Sequence, residues 1–391
     1  MVIHVITRLS MGGAQQLVYE LTARMLASHH DVLILTGLAD EKTTTSAPNN
    51  RVLEQARAAH VPVEICPFLQ ERISPWTDLR ALFWLCRRLR RCRSAIVHVH
   101  SSKAGILGRL ACRLVGVRRV IYHVHGWSYS SARGISRRFF FWLERAFYWL
   151  TTQYIFVNRH DMVDFVRGGG NPAIESKGHV IYPGATFLTA DERRAHRCEL
   201  RRQLGYSNAD HVVGSIGRLD YQKDPQSFVH IATRYAKTET ASRFLWIGEG
   251  PDRTEVEQLI ADFGLADRFT LPGYVDHAEA YFSVFDTFVL TSRYEGLPVS
   301  VIKALSCGTP VVGFRVNGMH DLCDQFVSVR TVAPGDEAGF VRALDAARRM
   351  LKSERIVLDR EATFVRDNLN ADRMYEAITD VYASLKPDAS V

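Results

Sequence analysis

No stretch of this 391-residue chain approaches the roughly 18 to 20 uninterrupted apolar residues of a membrane-spanning helix. The amino terminus, Met1-Val-Ile-His-Val-Ile-Thr-Arg8, lacks a basic lead, a long apolar run and a cleavage site, so it reads as a first strand and not a signal peptide. The cytoplasm is the expected location. Seven cysteines lie scattered without a Cys-x-x-Cys pair, and reduced thiols packed as small apolar residues are the expectation. Acid is not in excess: the formal charge of +7 suits a nucleotide diphosphate, a lipid phosphate or nucleic acid, and composition does not choose among them. What is present, 47% hydrophobic and 23% charged residues over this length, is ordinary for a globular chain of two or more domains.

The chain is organised around Leu290–Val312. The apolar run Thr287–Leu290 reads as a buried strand, Glu295-Gly-Leu-Pro298 as a breaker, the following residues as a short helix ended by Gly308, and Pro310–Phe314 as a second buried strand. Together they make one βαβ unit whose turn lies at the carboxyl edge of the sheet, where such folds bind ligands. Gly296 lets a ligand approach the backbone, the N–H groups after it favour an anion or a hydroxyl oxygen, and Glu295 adds an acceptor. A polyol attached to a diphosphate fits this mixture. The stretch resembles the Glu, seven residues, Glu signature of the retaining GT-B glycosyltransferases of family 4. It departs from that signature at one place, where Lys303 stands for the second Glu.

Earlier in the chain, strand Val2–Thr7 leads into Gly12-Gly13 and an amphipathic helix from about Ala14 to Leu26. The glycine pair reads either as a phosphate turn or as a tight turn needing positive φ, and it resembles the family's Gly-Gly-Ala-(Glu/Gln) loop between donor and acceptor. Strands Asp31–Thr36, Pro62–Cys66 and Ala95–Val99 alternate with helices Arg51–Ala59 and Trp76–Arg91 in a doubly wound pattern. Ser101, Ser102 and Lys103 follow at a small-residue helix start, where an acceptor phosphate or hydroxyl could dock. With His125-Gly-Trp after strand Arg119–Val124, they resemble the His-x-His-Ser-Ser-Lys-Ala-Gly…His-x-Val-His-Gly-Phe pattern of a subset that builds surface polysaccharides. Glu71–Leu79 resembles that subset's Arg-Glu-Ile-Ser-Pro-x-x-Asp-Leu segment. His98, His100, His123 and His125 share strand faces, but no cysteine or carboxylate accompanies them and no zinc site is expected.

Two features keep two readings each. The run Arg87–Arg93, with five arginines, is a solvated helix end or a footing on anionic lipid. From Ile135 to Leu150 the core stripe is expected to be Phe139, Trp142, Leu143, Ala146 and Leu150, which leaves Phe141, Tyr148 and Trp149 to shallow membrane contact or to burial under a loop.

The polar stretch Asp191–Asp210 reads as a crossing into a second domain. There a strand delivers Arg218 and, five residues on, Lys223, matching the family's Gly-Arg-Leu-x-x-x-Lys diphosphate site. No Asp-x-Asp occurs, so the resemblance implies neutralisation by Arg218, Lys223 and helix N-termini, with no metal and no cofactor. It further places Gly12 and Gly13 by the diphosphate, His125 and Glu295 by the transferred sugar with Gly296, Leu297 and Pro298, and Lys303, Tyr274 and Val275 by ribose and base. The implied architecture is α/β: two facing Rossmann-like domains with a cleft between them, residues 1–190 on the acceptor side, a linker 191–210, a nucleotide-sugar domain 211–368 and a terminal helix in 369–391 crossing back. The implied activity is retaining transfer of a hexose or N-acetylhexosamine from a nucleoside-diphosphate sugar, expected to be a UDP-sugar. The expected acceptor is a polyprenyl-diphosphate-linked saccharide at the inner face of an anionic membrane, without nucleic acid. Soluble aminocyclitols are acceptors of some relatives. The alternatives are a catalytically silent relative, which Lys303 keeps open, and a GT-B sugar-nucleotide epimerase, against which the shortage of carboxylates besides Glu295 counts.

Overall fold

The computed structural model describes residues 1–10, 12–38, 51–130, 132 and 134–385. It divides into two compact units: one takes the described residues up to Pro183 and from Met374 onward, the other Gly184–Arg373.

In the first unit, strands β1 (Val2–Arg8), β2 (Val32–Gly37), β3 (Val63–Ile65), β4 (Ile96–His100), β5 (Arg119–Val124), β6 (Gln153–Phe156) and β7 (Gly178–Val180) form a parallel sheet in the order β3-β2-β1-β4-β5-β6-β7. Its central strands are nearly continuous apolar runs because helices cover both faces. On one face Val2, Ile96, Ile121 and Ile155 meet Leu17, Leu21 and Met25 of helix Gly13–Ala27, and Met374, Ile378 and Tyr382 of the carboxyl-terminal helix Ala371–Ser384. On the other, Val97, Val99 and Tyr122 pack with Ala81, Leu85 and Leu89 of helix Pro75–Leu89 and Ala104, Leu107 and Ala111 of helix Ser102–Val115. Residues 386–391 of the expected carboxyl-terminal segment lie outside the described residues.

In the second unit, β8 (His211–Ile216), β9 (Ser242–Ile247), β10 (Phe269–Gly273), β11 (Thr287–Leu290), β12 (Val311–Phe314) and β13 (Val329–Val332) run parallel in the order β10-β9-β8-β11-β12-β13. In both sheets the strand order reverses after the first strand, β1 beside β4 and β8 beside β11. That reversal opens a crevice at the carboxyl ends of the two strands.

Two expectations change. The stretch expected as a linker contains helix Ala190–Gln203, started by a Thr189/Glu192 capping box and belonging to the second unit. Two of its arginines are anchored within that unit, since Arg197 and Arg201 both bind Asp286, at 2.5 and 3.1 Å, and donate to the Val284 carbonyl, while Arg194 and Arg202 stay exposed. The aromatic helix, Gly134–Phe147 with a 3-10 turn Tyr148–Leu150, presents a different face from the one that periodicity gives. Phe140, Phe141 and Tyr148 pack on the core, whereas Phe139 is 61% and Trp142 58% exposed, with Ile135 and Trp149 also outward. The cause is a charge. Glu144 is buried on this helix and accepts from buried Arg109 at 2.6 Å, with the guanidinium 4.2 Å from the centre of the Tyr122 ring. Holding that pair inside fixes the helix rotation, which an apolar count cannot register.

Candidate active site

In the second unit, the segments leaving β8 and β11 are laced together. Arg293 N–H donates to the Gln222 carbonyl at 2.8 Å, the Gln222 amide to the Tyr294 carbonyl at 3.2 Å, and the Thr291 hydroxyl to the Lys223 carbonyl at 3.0 Å. This frame brings Lys223 Nζ to 2.5 Å from Glu295 Oε1, both largely buried. Arg218, more exposed, is braced by Asp220 at 2.8 Å and by Gln222 at 3.1 Å. The two cations and the carboxylate are therefore fixed before any ligand arrives, which is the condition under which charge stabilisation is strong. Gly296, Leu297 and Pro298 run into helix Val299–Ser306, with Leu297 and Pro298 buried. A Cβ on Gly318 would lie 1.9 Å from the Gly296 carbonyl oxygen, so the next helix, Asn317–Gln325, seats directly on this turn.

Tyr274 and Val275 follow β10, two strands from β8, and are half-buried. Lys303 is half-buried on helix Val299–Ser306, and no carboxylate among the described residues lies within ion-pair distance of its ammonium.

In the first unit, Ser101 joins β4 to helix Ser102–Val115 with φ +60° and ψ 160°, a region almost reserved for glycine. It is held there by Thr7 at the end of β1: the two hydroxyls are 2.7 Å apart, and Thr7 Oγ1 also accepts from the Ala104 N–H at 3.2 Å. Ser102 opens the helix. Lys103 does not project freely, for its ammonium binds Asp78 Oδ1 and the Arg72 carbonyl, each at 2.5 Å. Gly12 and Gly13 follow β1, the neighbour of β4, and neither has left-handed φ, so the tight-turn reading fails. A Cβ on Gly13 would meet nothing within 4 Å, so the glycine leaves the start of helix Gly13–Ala27 open to approach.

His125 follows β5 and belongs to a cluster. His4 on β1, His98 and His100 on β4 and His123 on β5 share one sheet face with it, His4 in register with His98 and His100 with His123. His4, His98, His100 and His123 are buried, and His125 is partly exposed. Burial lowers the pKa of all of them, His125 to about 4 and His4 to about 3. Nitrogens of His4, His98 and His100, and of His100, His123 and His125, lie within 4.8 Å of one another. Both triads consist of neutral imidazoles alone, with no carboxylate or thiolate among the described residues belonging to either.

The sequence reading missed Thr7, Asp78, Gln222 and His4. Asp78 lay within the quoted Glu71–Leu79 segment, and His4 alternates with apolar neighbours in β1 as His98 does in β4.

Two doubly wound units, with glycine, serine and basic residues gathered at both switch points, define a GT-B fold with nucleotide-handling chemistry. Family models agree: the "Glycosyl transferase 4-like domain" matches residues 12–184 and "Glycosyl transferases group 1" matches residues 210–349. The chain belongs to the group 1 glycosyltransferases, nucleotide-sugar-dependent enzymes of the hexosyltransferase class. It is 28% identical to the UDP-Gal:alpha-D-GlcNAc-diphosphoundecaprenol alpha-1,3-galactosyltransferase of Escherichia coli over 283 residues, 71% of this chain and 72% of that one. It is 26% identical to the alpha-D-kanosaminyltransferase of Streptomyces kanamyceticus over 65% of this chain and 69% of that one. The crystal structure of Anabaena HepE with UDP-glucose superposes with a TM-score of 0.78 at 18% identity, covering 98% of this chain and 100% of that one. Among the described residues no helix is long and apolar enough to cross a membrane.

Proposed function

We propose that the chain transfers a hexose or N-acetylhexosamine from a UDP-sugar, with retention at the anomeric carbon, to a saccharide carried on a polyprenyl diphosphate. The observation that carries this reading is the Lys223–Glu295 pair, with Arg218 braced on the same loop as Lys223, at the β8/β11 switch point. Two fixed cations suit a diphosphate leaving group, whose growing charge is the main quantity the transition state needs stabilised. Glu295 and the N–H groups after it orient sugar hydroxyls, and His125 meets the far ones. Tyr274 and Val275 line the base, and Ser101, Ser102 and Lys103 receive the acceptor. Lys303 holds the ribose by donating to hydroxyl oxygens, which accept as well as donate, and the diphosphate supplies its counter-charge. In a same-face displacement the C1–phosphate bond breaks as the C1–acceptor bond forms. The departing phosphate oxygen takes the acceptor proton, so no protein nucleophile is required.

The lipid-linked acceptor is favoured by two exposed apolar stripes on the first unit: Trp76, Leu79 and Phe83 on one helix, and Ile135, Phe139 and Trp142 on another. Exposed Arg87, Arg90, Arg91 and Arg93 follow the first, and Arg137 and Arg138 accompany the second. Aromatic and basic residues in this mixture suit a helix lying in a membrane interface. The acceptor in the name of the Escherichia coli relative is of the same chemical class. The test is incubation with UDP-sugars and a polyprenyl-diphosphate N-acetylglucosamine, followed by NMR of the new linkage. An α-linked product on the lipid is expected. A β-linked product contradicts retention, and transfer to soluble acceptors alone contradicts the lipid-linked substrate.

A further inference from the structure

The histidine cluster contains a directed chain. His100 Nδ1 lies 3.1 Å from His125 Nε2, and His100 Nε2 lies 3.0 Å from His4 Nδ1. All three rings are neutral, because burial among apolar strands disfavours the imidazolium. A neutral imidazole has one N–H and one bare nitrogen, so each ring passes its polarity to the next. Only two arrangements satisfy both hydrogen bonds. In one, His4 Nδ1–H donates to His100, His100 Nδ1–H donates to His125 Nε2, and the His125 proton sits on Nδ1. In the other every proton is reversed, and His4 must carry its proton on Nε2.

The far end of the chain decides between them. His4 Nε2 is fully buried and has no protein partner among the described residues. Leaving a lone pair there is tolerable, whereas an orphaned buried N–H is rarer and costlier. His123, whose two nitrogens are likewise buried and unpartnered among the described residues, already carries one such N–H, and the first arrangement avoids adding another at His4.

We propose that His100 and His4 are positioning residues that lock His125 in the Nδ1–H tautomer, so that its partly exposed nitrogen presents a hydrogen-bond donor. A donor can hold a hydroxyl oxygen of the substrate, but it cannot remove that hydroxyl's proton. His125 therefore acts as a recognition residue for a hydroxyl or carbonyl oxygen and not as a base. That consequence rests on the proposed function, whereas the tautomer itself does not.

The experiment is histidine ¹⁵N–¹H NMR on the full chain at pH 7 after dialysis against a chelator, with His125 assigned by its loss in His125→Gln. The expected result is a protonated Nδ1 and a bare Nε2 on His125. His100→Phe removes the donor and should release the lock, giving a tautomer mixture, whereas His100→Asn keeps an amide N–H toward His125 Nε2 and should restore Nδ1–H. A protonated Nε2 in the parent overturns the proposal, and so does a His125 tautomer unaffected in folded His100→Phe. If His100→Phe does not fold, the parent spectrum alone still decides the polarity. In transfer assays His100→Phe should lower kcat/KM by about tenfold, the loss of one hydrogen bond, with His100→Asn close to the parent. A locked tautomer whose release leaves kcat/KM unchanged sinks the role at the sugar while sparing the relay.

Discussion

Lys223 and Arg218 carry the same charge but stand in different surroundings, so their removal has different consequences. Arg218→Ala takes away a braced, partly exposed cation, and Lys223→Ala also strands Glu295, a carboxylate 9% exposed. Each should weaken UDP binding by the worth of a charged hydrogen bond, about 1.5 to 3 kcal/mol, which titration calorimetry would read as roughly 10- to 150-fold. Unchanged affinity in both removes the diphosphate clamp. Lys303→Ala should weaken the donor only modestly, since a ribose contact is lost while Arg218 and Lys223 still hold the diphosphate. At this scale the sequence was partly legible. The five-residue step from Arg218 to Lys223 and the turn at Glu295 were readable, because short-range spacing and a strand-turn-helix context mark them. The contacts that complete them were not: Lys223 meets Glu295 across 72 positions of sequence, and Lys103 meets Asp78 only because their two helices pack together.

The aromatic helix shows what an element's own pattern omits. Its apolar periodicity points Phe139 and Trp142 inward, yet the burial of Glu144 against Arg109 turns them outward. Glu144→Gln should therefore destabilise the first unit strongly, by about 3 to 5 kcal/mol in denaturant unfolding, because it leaves a buried guanidinium without its counter-charge. Trp142→Ser should change stability by no more than about 0.5 kcal/mol. The order reverses at a membrane. Anionic vesicles should float the parent protein, and Phe139→Ser with Trp142→Ser should release the part of the binding that survives high salt, since salt screens the arginines but not aromatic insertion. Absence of flotation on anionic lipid at low salt removes the membrane reading.

For the whole molecule, the doubly wound pattern was legible because alternation of apolar strands and amphipathic helices is a local signal repeated many times. The division into units was less so. Polar, arginine-rich residues 191–210 look like a linker until Asp286 and the Val284 carbonyl arrive from far along the chain to bind them. The histidine cluster adds a property of the entire first unit. Desolvation holds His4 at about 3, His125 at about 4, and His98, His100 and His123 well below the ordinary value. Unfolding returns them to about 6.5, so below that pH the unfolded chain binds more protons. Stability should thus be full above about pH 6.5 and fall toward pH 4, by about 1.4 kcal/mol per pH unit for each extra proton. A denaturation midpoint that stays flat from pH 7.5 to 5 contradicts the neutral cluster. The central claim is that the site works as a nucleotide-sugar transferase although Lys303 replaces a carboxylate of the family. Its most direct test is mass spectrometry of the products formed by the parent and by Lys303→Glu from a panel of nucleotide sugars and acceptors. The account predicts glycosylated product from the parent, and measurable transfer by Lys303→Glu as well. An inactive parent, whether or not Lys303→Glu rescues it, would contradict the account.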